Sequence, residues 1–150
     1  MRQYRTGSAE ETQALGRELA AILPEQGVVL LIGNLGAGKT TLVKGIVEQR
    51  GAADADDVSS PTYTLIHPYG DPVRIYHVDL YRLDTADEVR GIGIDDLLDS
   101  DALVLIEWGE KFPELFARER YEIAIAITGD ETRGVTCCRK STPAKPNGAI

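Results

Sequence analysis

Between Gly33 and Thr40 the chain reads Gly-Asn-Leu-Gly-Ala-Gly-Lys-Thr, a complete Gly-x-x-x-x-Gly-Lys-Thr pattern. Few local sequences constrain a fold as tightly. The glycines allow a backbone turn in which successive N–H groups point into one concavity able to hold phosphate oxygens. Lys39 supplies a compact positive charge for β and γ phosphates, and the Thr40 hydroxyl is a ligand for Mg²⁺. The flanks agree with this reading. Val28-Val29-Leu30-Leu31-Ile32 is a continuous apolar run, as expected of a strand buried on both faces. After the loop, Leu42, Val43, Ile46 and Val47 fall on one side of a helix that begins at about Gly38, runs to Arg50 and stops at Gly51. The positive end of that helix dipole adds to the same concavity. The stretch is therefore read as a nucleoside triphosphate site.

The chain has 150 residues and a net charge of −8. That length suits one domain with a sizeable core, placed at residues 1–140, followed by a flexible tail at 141–150 that carries Pro143, Pro146 and Gly148. The charge argues against independent, tight binding of a nucleic-acid backbone. Acidic residues gather at Asp54, Asp56 and Asp57 and between Asp84 and Asp101, where they read as solvated faces. A basic stretch near Arg133, Arg139, Lys140 and Lys145 is a candidate contact for RNA or an acidic partner. No stretch approaches the roughly 18 apolar residues of a membrane span. Met1 to Arg5 leads into no apolar signal core, so a cytoplasmic location is expected. Cys137 and Cys138 are neighbours, which suits alternating faces of one strand better than a redox pair.

Ser8-Ala9-Glu10-Glu11 is a capping box opening a helix with Leu15, Leu19, Ile22 and Leu23 on its apolar stripe, closed near Pro24 and Gly27. Thr62 to His67 and Val73 to Asp79 are strand-like, and Tyr69-Gly70-Asp71-Pro72 between them has hairpin-turn chemistry. Short helices interrupted at Gly91 and Gly93 are expected between Asp84 and Ser100. Ala102 to Ile106 is a second buried strand, Tyr121 to Thr128 alternates as a strand, and Gly134 to Arg139 is a candidate partner for it. Such alternation predicts an α/β domain with a mixed, mostly parallel central sheet flanked by helices.

Ligands of such sheets sit at the carboxyl ends of the strands, and two carboxylates are expected there beside the loop. Glu107 ends the strand at Leu103 to Ile106, where it can bind Mg²⁺ or polarise an attacking water. Asp79 ends the strand at Val73 to Val78 and is the other candidate, unless it serves as a structural partner of Arg82 or of a backbone N–H. Ser60, Thr62 and Thr64 offer hydroxyls around Pro61, either as a switch-like segment reaching Mg²⁺ or the γ phosphate, or as turn and strand chemistry. His67 and His77 read as core or surface histidines. Trp108 is placed by position in the core, with stacking on a base as the other option.

Taken in order, Gly33 to Thr41, Ser60-Pro61-Thr62-Tyr63-Thr64-Leu65, His77-Val78-Asp79-Leu80-Tyr81-Arg82-Leu83 and Ile106-Glu107-Trp108 resemble the bacterial TsaE (YjeE) family. The resemblance spans about Ser8 to Thr128. It implies a P-loop NTPase fold and the ATPase component of tRNA threonylcarbamoyladenosine biosynthesis, using ATP and Mg²⁺. It also implies weak hydrolysis by the chain alone and work within an assembly containing TsaD and TsaB, with any contact to tRNA indirect or weak. Matched positions inherit roles from that resemblance. Asn34, Leu35, Gly36, Ala37, Gly38, Lys39, Thr40 and Thr41, with Thr62 and Trp108, would contact the nucleotide. Thr40 and Glu107 would hold the metal, and Lys39, Glu107 and Asp79 would carry the chemistry. Asn34 departs from the family, which often has an acidic residue there. Backbone N–H groups do most of the cradling, so little effect on phosphate binding is expected.

A small-molecule, nucleoside-type kinase is the alternative, with Asp79 or Glu107 as base and Arg118 and Arg120 as its sparse candidates for lid arginines. A GTP-operated switch ranks last, because the sequence has no Asn-Lys-x-Asp motif and no Asp-x-x-Gly after the loop.

Overall fold

Alternation in Val28 to Leu31 organises the molecule: Val29 and Leu31 enter one apolar cluster and Val28 and Leu30 another, on opposite faces of one sheet. The computed structural model describes residues 1–141. Residues 142–150, which hold nearly all of the expected tail, lie outside the described residues. The strands are β1 (Arg2–Thr6), β2 (Gly27–Ile32), β3 (Ile66–Tyr69), β4 (Ile75–Asp79), β5 (Leu103–Glu107), β6 (Arg120–Ile127) and β7 (Arg133–Lys140). They form one seven-stranded sheet in the order β1-β7-β6-β2-β5-β4-β3. β6, β2, β5 and β4 are mutually parallel, while β3 and β7 run against them and β1 runs against β7. The sheet is thus mixed and mostly parallel by strand direction.

Helices α1 (Ala9–Ala20) and α2 (Lys39–Gln49) cover one face. Leu15, Leu19, Leu42, Val43, Ile46 and Val47 pack there against Val29, Leu31, Leu103, Leu105, Ile123 and Ile125. On the other face, Val89 of α3 (Ala86–Gly91), Ile94 of α4 (Ile94–Leu98), and Phe112 and Phe116 cover Val28, Leu30, Val78, Val104 and Ile106. Each such side chain contributes roughly 1.5–3 kcal/mol on burial. α1 and α2 approach so closely that a Cβ on Gly45 would stand 2.0 Å from the Gln13 carbonyl oxygen, with Gly16 facing it. The crossing therefore requires glycine at both positions.

Several boundaries differ from the sequence expectations. α1 ends at Ala20, with Ala21 as C-cap, before reaching Pro24. Arg50 donates to the carbonyls of Ala20, Leu23 and Pro24, which satisfies that end without further helix. Ser8 accepts from the Glu11 N–H as expected, but Glu11 reaches back to the N–H of Gly7 and not to that of Ser8. Thr62 to Leu65 form a turn instead of a strand: the Leu65 N–H bonds to the Pro61 carbonyl, and Leu65 has φ 72. The hairpin begins only at Ile66 and closes through Gly70. β1 had no counterpart in the sequence reading, and it pairs with β7 along the sheet edge. Cys137 is buried and Cys138 half-buried, on alternate faces of β7, as anticipated.

Candidate nucleotide site

β2 leads directly into the Gly33–Thr40 loop, and two registers then decide what lies beside it. Leu31 is paired with Glu107 across β2 and β5, and Glu107 with Asp79 across β5 and β4. The loop and both carboxylates therefore meet at the carboxyl end of the parallel strands, as the sequence reading required. Gly38 sits at φ 109 as N-cap of α2, without a side-chain cap, which leaves the N–H groups of the first turn available to an anion. Arg133 holds the loop from behind, donating from Nε to the Ala37 carbonyl at 2.9 Å and from Nη2 to the Gly36 carbonyl at 3.4 Å.

Lys39 is only 5% exposed, and its Nζ donates to the Gly33 carbonyl at 2.7 Å. The same Nζ lies 3.8 Å from Glu107 Oε1 and 4.2 Å from the centre of the Trp108 ring. Glu107 Oε2 is 2.6 Å from His77 Nε2. Asp79 Oδ1 accepts the Tyr81 N–H at 2.8 Å, and its Oδ2 accepts the Thr62 hydroxyl, also at 2.8 Å. Because Thr62 donates there, Ser60 must donate the 2.7 Å bond between their hydroxyls. Arg82 is not the partner of Asp79; it lies 5.1 Å from the Tyr63 ring. Although much of Glu110 meets solvent, desolvation pushes its carboxyl pKa up, Glu107 and Glu122 push the same way, and Lys39 opposes them.

A cavity of about 310 Å³ opens over these groups, between Leu35, Gly36 and Gly38 to Thr41 on one side and Ser60, Thr62, Asp79, Glu107 and Trp108 on the other. Trp108 is half-buried: it packs against the second apolar cluster and also lines this cavity, with its ring 5.2 Å from that of Tyr81. It also has φ 65, a left-handed conformation that costs a non-glycine residue energy and clusters at functional sites. A second cavity of about 240 Å³ shares Gly36, Gly38 and Thr41 and continues past Ala37 to Thr12 and Arg133. Asn34 is exposed and lines neither cavity. Thr64 bonds to His67 Nε2 at 2.6 Å and does not line the first cavity.

The donor set suits a hard cation. Thr40, Asp79 and Glu107 present oxygen atoms, and among the described residues no cluster of three or more His, Cys, Asp or Glu would hold an ion alone. Mg²⁺ characteristically takes one or two carboxylates together with phosphate oxygens. The site therefore fits Mg²⁺ that arrives with a nucleotide. Arg118 and Arg120, the arginines considered for a lid, lie at the amino end of β6, opposite the loop, and Arg120 is paired with Glu122. Of the basic stretch, Arg133 is committed to the loop and Arg139 to Glu119; Lys145 lies outside the described residues.

Residues 6–135 match the family model described as threonylcarbamoyl adenosine biosynthesis protein TsaE. The chain belongs to the TsaE family. A TsaE of Bacillus subtilis is 38% identical over 89% of this chain and 83% of its own length. A Streptomyces coelicolor TsaE is 42% identical over 81% of this chain and 86% of its own. Both carry the description tRNA threonylcarbamoyladenosine biosynthesis protein. The crystal structure of Bacillus subtilis YdiB superposes with a TM-score of 0.73 at 31% identity, covering 95% of this chain and 86% of that one. The seven-stranded α/β architecture is consistent with the P-loop NTPase-like fold expected of a TsaE protein. Among the described residues no helix is long and apolar enough to cross a membrane.

Two groups at this TsaE site were not singled out for it by sequence. His77 was read as a core or surface histidine; it is indeed fully buried, but its partner is Glu107. The signal was present, since His-x-Asp in a strand places both side chains on one face. Arg133 was read as part of a basic surface stretch. Its contact crosses 96 positions of sequence, and no local pattern announces it.

Proposed function

We propose that this chain is a Mg²⁺-dependent ATPase that drives an assembly making the threonylcarbamoyladenosine modification of tRNA. The observation that carries the reading is the convergence of the glycine loop, Lys39 and Glu107 on one cavity, with Glu107 Oε1 3.8 Å from Lys39 Nζ. The β and γ phosphates of ATP lie along the N–H groups that open α2, and Lys39 exchanges part of its present contacts for phosphate oxygens. The nucleoside end extends into the second cavity, past Thr12. Thr40 and, through a water, Glu107 would hold Mg²⁺, which would neutralise charge on the phosphates. Glu107 Oε1 orients a water and takes its proton as the water oxygen bonds to the γ phosphorus and the bond to the bridging oxygen breaks, leaving ADP and phosphate. Asp79, with both oxygens already engaged, holds the Thr62 segment over the cavity instead of serving as the base.

Hydrolysis by the chain alone is weak and rises in the presence of TsaD and TsaB, the partners implied by the family resemblance. Phosphate release from ATP, measured with the chain alone and with both partners added, tests this reading. An unchanged rate, or transfer of phosphate to an added nucleoside in place of water, overturns it in favour of a kinase.

A further inference from the structure

His77 is a charge-capable side chain with no solvent exposure, on a strand whose other inward residues are apolar or at the site. Its register partner is Leu105, one pleat below Glu107, so the imidazole reaches diagonally to the Glu107 carboxylate. Nε2 meets Oε2 at 2.6 Å. Nδ1 has no hydrogen-bond partner among the described residues. A proton on Nδ1 would be a buried donor with nothing to receive it, whereas a proton on Nε2 forms a charge-assisted bond to the carboxylate. The geometry therefore makes Nε2 the donor and Glu107 Oε2 the acceptor.

The two oxygens of Glu107 then have different surroundings. Oε2 is tied to a side chain held by the core, while Oε1 lies 3.8 Å from Lys39 Nζ. We propose that His77 is a positioning residue that fixes Glu107 by Oε2 and dedicates Oε1 to the phosphate cavity. Without the tie, the carboxylate can rotate, place both oxygens on the Lys39 ammonium, and leave no oxygen correctly aimed at a water or a metal. This inference rests on the hydrolytic role proposed above for Glu107.

The isosteres of histidine provide the test. Glutamine places an N–H donor near the position of Nε2, and asparagine places one near Nδ1. In the full chain with TsaD and TsaB, His77→Leu and His77→Asn should lower kcat for ATP by about 10- to 100-fold, as expected when a buried group orienting a reactive carboxylate is lost. KM, and the ATP affinity read from Trp108 fluorescence, should change far less. His77→Gln should restore most of kcat. Equal rates for the glutamine and asparagine variants, or a loss confined to ATP affinity or to the melting temperature, overturn the proposal. A second readout needs no turnover. Nitrogen-15 NMR of the wild-type imidazole should show the Nε2-protonated form, with a signal that moves in Glu107→Ala. A ring protonated on Nδ1 alone, or a signal indifferent to Glu107, overturns the tie. A wild-type chain that hydrolyses no ATP with its partners sinks the ATPase reading instead, and the imidazole signal then decides the tie by itself.

Discussion

The hydroxyl of Thr62 donates to Asp79 Oδ2 at 2.8 Å, clamping the turn after Pro61 onto the end of β4. Asp79 is 2% exposed, and its other oxygen holds the Tyr81 N–H, so one carboxylate organises both edges of the cavity mouth. Hydrogen bonds to charged groups contribute about 1.5–3 kcal/mol each. A double-mutant cycle of Thr62→Val and Asp79→Asn, followed by thermal melting, should return a coupling energy of about 1 kcal/mol or more. Amide hydrogen exchange at Tyr81 should quicken in Asp79→Ala. Additive effects and an unchanged Tyr81 rate would remove the clamp from the argument.

Glu107→Gln keeps an oxygen able to accept from His77 but loses the charge that attracts a proton. Hydrolysis should fall by about 10²–10⁴, the range for a lost general base. ATP binding should persist within several-fold. Single-turnover measurements with partners present separate the two effects, and a parallel collapse of binding would make Glu107 a metal holder above all.

Lys39→Ala removes the cation that bridges the Gly33 carbonyl, Glu107 and the Trp108 ring. ATP affinity and turnover should both be lost. The chain has one tryptophan, so its emission reports this site without interference, and it should shift in the variant even before nucleotide is added. An unshifted spectrum would contradict the contact at the ring.

Cys137 and Cys138 should separate chemically. Burial pushes the Cys137 thiol pKa up, and Cys138 pushes it further, while Arg2 and the N-terminus oppose. Mass spectrometry after brief iodoacetamide treatment near pH 7.5 should find Cys138 modified and Cys137 intact. The linkage sign follows from the raised value. The unfolded chain releases this proton first, so the contribution to stability is complete below the ordinary thiol range near 8.5 and is lost as pH rises through the raised folded value. Cys137→Ala should flatten the alkaline part of the stability profile.

Gly45→Ala sets helix propensity against sterics. Alanine gains about 1 kcal/mol in a helix interior, but its Cβ would stand 2.0 Å from the Gln13 carbonyl oxygen, on a backbone that cannot yield without moving α1. The clash should win, costing about 3 kcal/mol and lowering Tm by about 6–12 °C. Gly91→Ala in α3, where nothing lies within 4 Å of the added carbon, should leave Tm unchanged or raise it.

What could be read from the sequence was local or periodic. The loop pattern, the apolar runs of β2 and β5, the glycine breaks near Gly91 and the acidic ends of two strands all express sterics or burial within a few residues. They located the site because parallel strands deliver their carboxyl ends to one edge. The misses depend on distant partners. β1 is polar and becomes a strand only through its pairing with β7. Thr62 to Leu65 has strand-forming composition, yet Asp79 draws Thr62 into a turn, and the Asp79 N–H bonds to the Leu65 carbonyl. Arg50, far along the chain, satisfies the carbonyls after Ala20, so nothing needed the helix to reach Pro24.

The tether from Arg133 to Ala37 means that the nucleotide motif is not a portable module. A fragment ending after β6 would retain every residue of the Gly33–Thr40 signature and both Asp79 and Glu107, yet the loop would have lost its anchor and β6 its outer neighbour. Transplanting the motif with its strand and helix would transfer the letters without the brace. In this chain β7 is as much a part of the Gly33–Thr40 loop's framework as the glycines that define it.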